Sequence, residues 1–311
     1  DITTNRFGKI AAERVGKEKA LFVPSGVMGN IIAIMVHTKP GESLICDKKA
    51  HINTMVSGNT AALAGITTSQ VDADESGNLD IKEIETHIKL NEIICPNTTL
   101  LVYENTNNLA GGTIVTPGKA YELYKISKKY GLRVHLDGAR IFNSAVAQHI
   151  DVAELTKDCD SIMFCISKGL ASPVGSILAG TEEFINKARR VRKMLGGGMR
   201  QTGILASCGI ISLEEMVDRL AEDHDNARCL AEDLATIDGF HIKPETVKTN
   251  IVCFTFSLPG LNCGELIETM GEKGVKAICF SKNFGRMVTH KDINRSDIMY
   301  SLEVIKKIVY S

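Results

Sequence analysis

Apolar and polar positions along the chain follow two rhythms. Short apolar runs recur as "ALFV" at 20–23, "SLIC" at 43–46, "ITTSQV", "TLLVYEN" at 99–105, "LRVHLD" at 132–137 and "IMFCI" at 162–166. Runs of this length, bounded by polar residues, predict buried strands. Between them lie stretches with helical spacing. "SGVMGNIIAIMVHTK" opens a helix at Ser25–Gly26, "NTMVSGNTAALAG" predicts a helix with a glycine stop, and "LDIKEIETHIK" predicts an amphipathic helix after the turn "DESGN". The clearest helix is "TPGKAYELYKISKKYG". Thr116 caps it, Pro117 takes the first position, Ala120, Leu123, Ile126 and Tyr130 form its apolar stripe, and Gly131 stops it. Strand–helix alternation predicts α/β architecture with a mostly parallel sheet, whose sites lie at the carboxyl ends of the strands.

The pattern changes after about residue 215. "MVDRLAEDHDNARCLAEDLATI" is a charged helix, "NIVCFTFS" and "RMVTH" predict strands around the helix "ELIETMGEKGV", and "DIMYSLEVIKKIVY" closes the chain as a helix. The expected organisation is a large α/β domain over residues 1–215 and a smaller α+β domain, with its own sheet, over 216–311.

Composition narrows the function classes. A net charge of −1 argues against nucleic acid or an acidic membrane surface as a partner. No apolar run approaches the ~20 residues that span a bilayer. The 9 cysteines are odd in number and form no CxxC pair. They read as reduced, core-filling thiols of a cytoplasmic protein, with no metal site. The chain opens on "DITTNRFGKI" with no signal-peptide pattern, and it reads as starting inside a longer natural sequence.

The candidate chemistry sits at predicted strand ends: Glu104–Asn105, Asp137 and Lys168. Asp137 in "HLDGAR" needs a cationic or hydrogen-bonding partner if it is buried, and an ion pair with Arg140 or a turn cap would satisfy it. Ser25–Gly26 in "PSGVMGN" opens a helix after a strand, which presents backbone N–H groups to a phosphate. Ordinary N-capping is the plain alternative there. "LGGGMRQ" is a second glycine-rich turn, with Arg200 available for an anion. Neither a Walker A loop nor GxGxxG is present, so nucleotide readings lack their motifs. A phosphate-binding helix start, a strand-end aspartate and a strand-end lysine together are what pyridoxal phosphate requires. The lysine forms a Schiff base, the aspartate keeps the ring nitrogen protonated, and the helix N–H groups hold the phosphate. Lys168, expected to be buried beside a cationic ring, would have a lowered pKa.

The sequence resembles the L-threonine aldolases, of the low-specificity and L-allo-threonine kind, among the fold-type I pyridoxal phosphate enzymes. "GKEKALFVPSGVMGN", "YENTNNLAGG", "VHLDGARIFN", "DSIMFCISKGLASPVGS", "RKMLGGGMRQTGILA", "DHDNAR" and "MVTHKD" carry the resemblance over nearly the whole chain, in the family's order. It implies a fold-type I, transferase-like architecture and a retro-aldol cleavage of β-hydroxy-α-amino acids to glycine and an aldehyde. It implies Lys168 as the internal aldimine lysine and Asp137 on the pyridine nitrogen. Arg140 would bond the ring hydroxyl and reach the substrate, and His51 would stack on the ring and move protons. Ser25, Gly26, Val27 and Ser167 would lie at the phosphate, with Arg200 reaching it from a neighbouring subunit. Arg286 and Asn107 would face the substrate, Arg286 at its carboxylate. The expected partner is a small amino-acid substrate, and the expected assembly a homotetramer, a dimer of dimers.

The sequence departs from the family's pattern at named positions. Val27 replaces the threonine of a Ser-Gly-Thr phosphate motif, Asn107 replaces the histidine of "ENTHN", and Val56 replaces a glutamate after the stacking histidine. The family's "RSDT" arm, whose serine helps bind the substrate carboxylate, is not among these residues. Asparagine cannot act as a general base. A related enzyme acting by another aldol cleavage, β-elimination or racemisation therefore stands as an alternative, as does a non-catalytic relative.

Overall fold

The apolar runs of the first two-thirds of the chain pair into one sheet in the computed structural model, which describes residues 1–311. Its strands are β1 (Lys19–Val23), β2 (Ser43–Asp47), β3 (Thr67–Val71), β4 (Thr98–Glu104), β5 (Arg133–Asp137), β6 (Ser161–Cys165) and β7 (Ser176–Gly180). The order across the sheet is β1-β7-β6-β5-β4-β2-β3. β7 runs against both of its neighbours, and all other pairs are parallel. β2 and β6 are buried along their whole length, as strands covered on both faces should be. β7 follows the glycine–proline loop of "DSIMFCISKGLASPVGS", and the apolar pattern predicts no strand there.

The helices are α1 (Ile2–Arg14), α2 (Gly26–His37), α3 (His51–Thr54), α4 (Ile81–His87), α5 (Pro117–Lys129), α6 (Ile141–Gln148), α7 (Val152–Thr156), α8 (Glu182–Met194), α9 (Gly203–Glu215), α10 (Leu220–Leu234), α11 (Cys263–Glu272) and α12 (Arg295–Val309). Capping explains several starts. Ser25 accepts from the Met28 N–H, and Thr116 accepts from the Lys119 N–H with Pro117 at the first position. Residues 51–64 do not form the single helix expected from "NTMVSGNTAALAG". α3 ends after one turn, Ser57 and Gly58 take positive φ, and a separate π-helical turn runs Thr60–Ala64. The left-handed Ser57–Gly58 pair breaks the helix before its apolar spacing can continue.

Two apolar clusters flank the sheet. One joins Ile32 and Ala33 of α2 and Phe184 and Ile185 of α8 to Met163 and Leu178. The other joins Ile31 and Ile34 of α2 to Leu44, Leu100 and Ile66. Each Ile, Leu or Phe fully buried there contributes about 1.5–3 kcal/mol. α2 faces both clusters, which is why its sequence is apolar nearly all round.

The chain divides into two compact units, Asp1–Asn107 with Ile114–Val217, and Asn108–Thr113 with Asp218–Ser311. The second unit has a four-stranded sheet of β8 (Phe240–His241), β9 (Ile251–Phe256), β10 (Ile278–Ser281) and β11 (Phe284–Val288), ordered β10-β11-β9-β8 and antiparallel throughout. Phe254, Phe256, Leu266, Leu302 and Ile305 centre its core. The segment Asn108–Thr113 belongs to this unit because Thr249 Oγ1 donates to Gly112 O at 2.7 Å. The segment has no apolar period, so nothing in the pattern announces that crossing.

Candidate active site

The parallel strands β2, β4 and β5 all end on a carboxylate: Asp47, Glu104 and Asp137. Glu104 and Asp137 are register partners on adjacent strands. All three are more than nine-tenths buried. They line one cavity at the carboxyl edge of the sheet, together with Ala50, Gly77 and Asn107. Burial of carboxylates at this density requires donors. Asp137 Oδ2 accepts from Asn30 Nδ2 at 2.7 Å and Oδ1 from the Ala139 N–H at 3.2 Å. Glu104 Oε1 accepts from the His51 backbone N–H at 2.5 Å, which ties the start of α3 to the end of β4. Asp47 Oδ2 accepts from Asn107 Nδ2 at 3.4 Å. Asp137 thus acts in part as the turn cap that the sequence allowed, and its main buried partner is an asparagine from α2.

α2 brings a helix opening to the same edge. Gly26 would meet Cys165 Sγ at 3.0 Å if it carried a Cβ, and Gly29 would meet Met163 Cγ at 2.6 Å. These two glycines let the first turns of α2 lie directly on the end of β6. Met28 N–H bonds Ser25 Oγ and Gly29 N–H bonds Ser25 O, so the N–H groups of Gly26 and Val27 point out of the opening. The Val27 side chain is exposed and supplies no hydroxyl.

Lys168 follows β6 by three residues. It is exposed, as is Ser167, and so it is not the buried lysine that the apolar run suggested. The strand stops at Cys165, Ile166 is still buried, and the chain then enters a turn closed by Ala171 N–H to Lys168 O at 2.9 Å, in which Ser167 and Lys168 are exposed while Leu170 is buried again. Arg140 is half-buried at the N-cap of α6, three residues past Asp137, and His51 is half-buried. Arg200 is exposed in the turn between α8 and α9, where Gly197 packs on the Met28 sulfur.

Ser25, Gly26, Asp137, Arg140, His51, Asn107, Ser167 and Lys168 therefore all belong to one edge of one sheet. Arg286 belongs to the second unit, on β11. There its Nη1 donates to Asn108 Oδ1 at 2.5 Å, its guanidinium stacks 5.0 Å over the Phe280 ring, and burial pushes its pKa down from the ordinary value. Asn30 and Asp47 drew no attention as sequence. An asparagine inside an apolar helix is a polar group that needs a buried partner, and that was the available signal for Asn30.

The donor set fits pyridoxal phosphate. A buried carboxylate keeps acceptor capacity beyond its two protein donors, which suits a protonated ring nitrogen. A glycine-opened helix N-terminus suits the phosphate, and an accessible amine suits the aldehyde.

The sequence model of the β-eliminating lyase family matches residues 1–257. The chain belongs to that family. Low-specificity L-threonine aldolase 1 of Arabidopsis thaliana is 36% identical over 311 residues, covering 99% of this chain and 87% of the relative. The low specificity L-threonine aldolase of Escherichia coli K12 is 38% identical over 298 residues, covering 96% and 86%. The threonine aldolase structure of Leishmania major superposes with a TM-score of 0.83 at 19% identity, covering 98% of this chain and 89% of that one. Serine palmitoyltransferase of Sphingomonas wittichii superposes at 0.77 with 16% identity, covering 99% and 76%. The fold is that of the fold-type I enzymes, and the chain is a pyridoxal phosphate-dependent carbon–carbon lyase. No helix is long and apolar enough to cross a membrane.

Proposed function

We propose that this chain cleaves β-hydroxy-α-amino acids, L-threonine and L-allo-threonine among them, to glycine and an aldehyde. The observation that carries the reading is the juxtaposition at one sheet edge. Asp137 is buried and held by Asn30 of α2, whose opening lies on the end of β6, and Lys168 follows that strand.

When bound, pyridoxal phosphate supplies an electron sink for the pair released as the Cα–Cβ bond breaks. Lys168 Nζ would be the amine that holds the cofactor at its aldehyde. Asp137 would keep a proton on the ring nitrogen, and Arg140 would hold the ring hydroxyl and reach the substrate. Backbone N–H groups of Ser25, Gly26 and Val27, with Ser167 and Arg200, would hold the phosphate. His51 would lie beside the ring. The family resemblance alone gives Arg286, in the second unit, the substrate carboxylate. Asn107 can orient the β-hydroxyl but cannot accept its proton, so that proton passes to His51 or to water. Exposed Met194, Ile204 and Ile211 on α8 and α9 supply apolar surface for a homotetramer, which light scattering on purified protein would check. A reduced, cytoplasmic setting suits nine unpaired thiols.

The test uses purified protein with added pyridoxal phosphate. Its visible spectrum is recorded, and acetaldehyde and glycine are assayed with each threonine epimer. Both products in equal amounts support the reading. A bound cofactor without acetaldehyde sinks it in favour of the second reading, aldol cleavage of another amino acid, which Asn107, unable to take the β-hydroxyl proton, favours.

A further inference from the structure

Asp137 is the end of a chain of buried polar groups that the mechanism above does not use. Asn30 donates from Nδ2 to Asp137 Oδ2 at 2.7 Å. The His135 Nε2 lies 3.0 Å from Asn30 Oδ1. The His135 Nδ1 lies 2.8 Å from Ser161 Oγ, and His37 Nε2 lies 2.7 Å from the same oxygen. Asn30, His135, Asp137 and Ser161 are each at most 4% exposed. The His37 ring is stacked on Phe184 at 4.7 Å, which fixes its plane.

The direction of each bond follows from the carboxylate. An ionised Asp137 only accepts, so the Asn30 amide nitrogen faces it and the Asn30 oxygen faces His135. That oxygen only accepts, so His135 carries its proton on Nε2. Burial holds His135 far below its ordinary pKa, at about 3, so the ring is neutral and has one N–H. Its Nδ1 is then an acceptor, which turns the Ser161 hydroxyl proton toward it. The Ser161 oxygen in turn accepts from His37 Nε2–H. Burial also holds His37 neutral, at about 4. Every donor in the series points toward Asp137. The reverse arrangement also satisfies every group, but only with a proton on Asp137 and with both histidines in the other tautomer.

We propose that Asn30, His135, Ser161 and His37 form a one-directional hydrogen-bond relay that keeps Asp137 ionised and oriented toward the cofactor ring nitrogen. The four are positioning residues. They act through Asp137, and the inference rests on the reading of Asp137 as the ring-nitrogen partner. Aligned dipoles in a low-dielectric interior stabilise the charge at the end of the line. Asn30 matters most, because its amide is the direct donor to the charged group.

The tautomer of His135 reports the direction. Full-length protein labelled with 15N at histidine is recorded by two-bond 1H–15N correlation near neutral pH, with and without added pyridoxal phosphate. His37→Gln and His135→Gln assign the signals. The expected result is protonated Nε2 and bare Nδ1 on both rings, with and without the cofactor. A proton on His135 Nδ1 in the wild type reverses the chain and overturns the proposal. The second arm measures pyridoxal phosphate affinity by equilibrium dialysis. Asn30→Ala is expected to weaken it by about 10- to 100-fold, from the loss of one bond to a charged group. Ser161→Ala, two bonds further out, is expected to weaken it several-fold less and to leave His135 protonated on Nε2, where Asn30 Oδ1 still holds it. A folded Asn30→Ala protein that binds the cofactor as tightly as wild type overturns the relay's role. Wild type that binds no pyridoxal phosphate overturns the functional reading instead, whatever tautomer His135 shows.

Discussion

Residue 107 carries an amide where the resemblance implies an imidazole, and its surroundings have closed around it. Asn107 is 4% exposed, and a Cβ on Gly77 would stand 2.7 Å from three of its side-chain atoms. Asn107→His therefore has two expected effects of different kind. The bulkier ring pushes on the turn that holds Gly77 and lowers stability by about 1–3 kcal/mol, the usual cost of overpacking, read by urea denaturation. It also supplies a general base, usually worth about 10²–10⁴ in rate, so acetaldehyde release from L-threonine should rise about tenfold or more. No rise would show that the β-hydroxyl proton has another acceptor. Lys168→Ala should remove the visible absorbance of the bound cofactor and cut activity by at least about 10³-fold. Survival of either would take the cofactor amine away from Lys168. The apolar run before Lys168 was legible, but its exposure was not, because a sequence does not show how far the chain runs on before it leaves the sheet.

At the scale of elements, α2 does several jobs at once. It packs on both apolar clusters, places Asn30 against Asp137, and opens over the end of β6. Its glycines decide the last of these. Gly29→Ala gains about 1 kcal/mol of helix propensity. Against that, the new methyl lies 2.6 Å from Met163 Cγ, the middle of a buried side chain that cannot swing aside. Overpacking at about 1–3 kcal/mol should win. The expected outcome is a lower midpoint in urea together with weaker pyridoxal phosphate binding, because the helix opening is lifted from β6. A neutral or stabilised Gly29→Ala protein would mean that the close approach is not needed. The caps of α2 and α5 were readable from a few adjacent residues. The break at Ser57–Gly58 was not, since the apolar spacing continues through it and only backbone conformation ends the helix.

For the whole molecule, buried neutral histidines set the acid limit. Burial lowers His135 to about 3, His37 to about 4 and His224 to about 4. In the unfolded chain each takes up a proton near pH 6.5, so below that pH the unfolded state binds more protons than the folded one. Their contribution to stability is fully present above about pH 6.5 and is lost as pH falls toward 4. Each histidine adds a slope of up to about 1.4 kcal/mol per pH unit. His135 and His37 belong to the first unit and His224 to the second, so each unit should lose stability over the same window. Urea midpoints measured from pH 7 to pH 4.5 should fall steadily. A flat profile would show that these rings take up protons in the folded protein as readily as in the unfolded chain.

Local chemistry determined what could be read without coordinates. Strand and helix periods predicted the α/β order of the first two-thirds and the separate sheet near the end. Capping residues marked helix starts, and Ser25–Gly26, Asp137 and Lys168 pointed to one cofactor because each is informative about its own immediate backbone. Tertiary structure decided what depends on residues far apart in the chain. The reversed strand β7 and the crossing of Asn108–Thr113 into the second unit come from pairings that no local period encodes. So does the partner of Asp137. Asn30 lies 107 residues away along the chain, and His135, although two residues off, reaches Asp137 only through it. A buried carboxylate must find a donor, which the sequence implies. Which donor it finds is a matter of packing, and only the packed α2 supplies it.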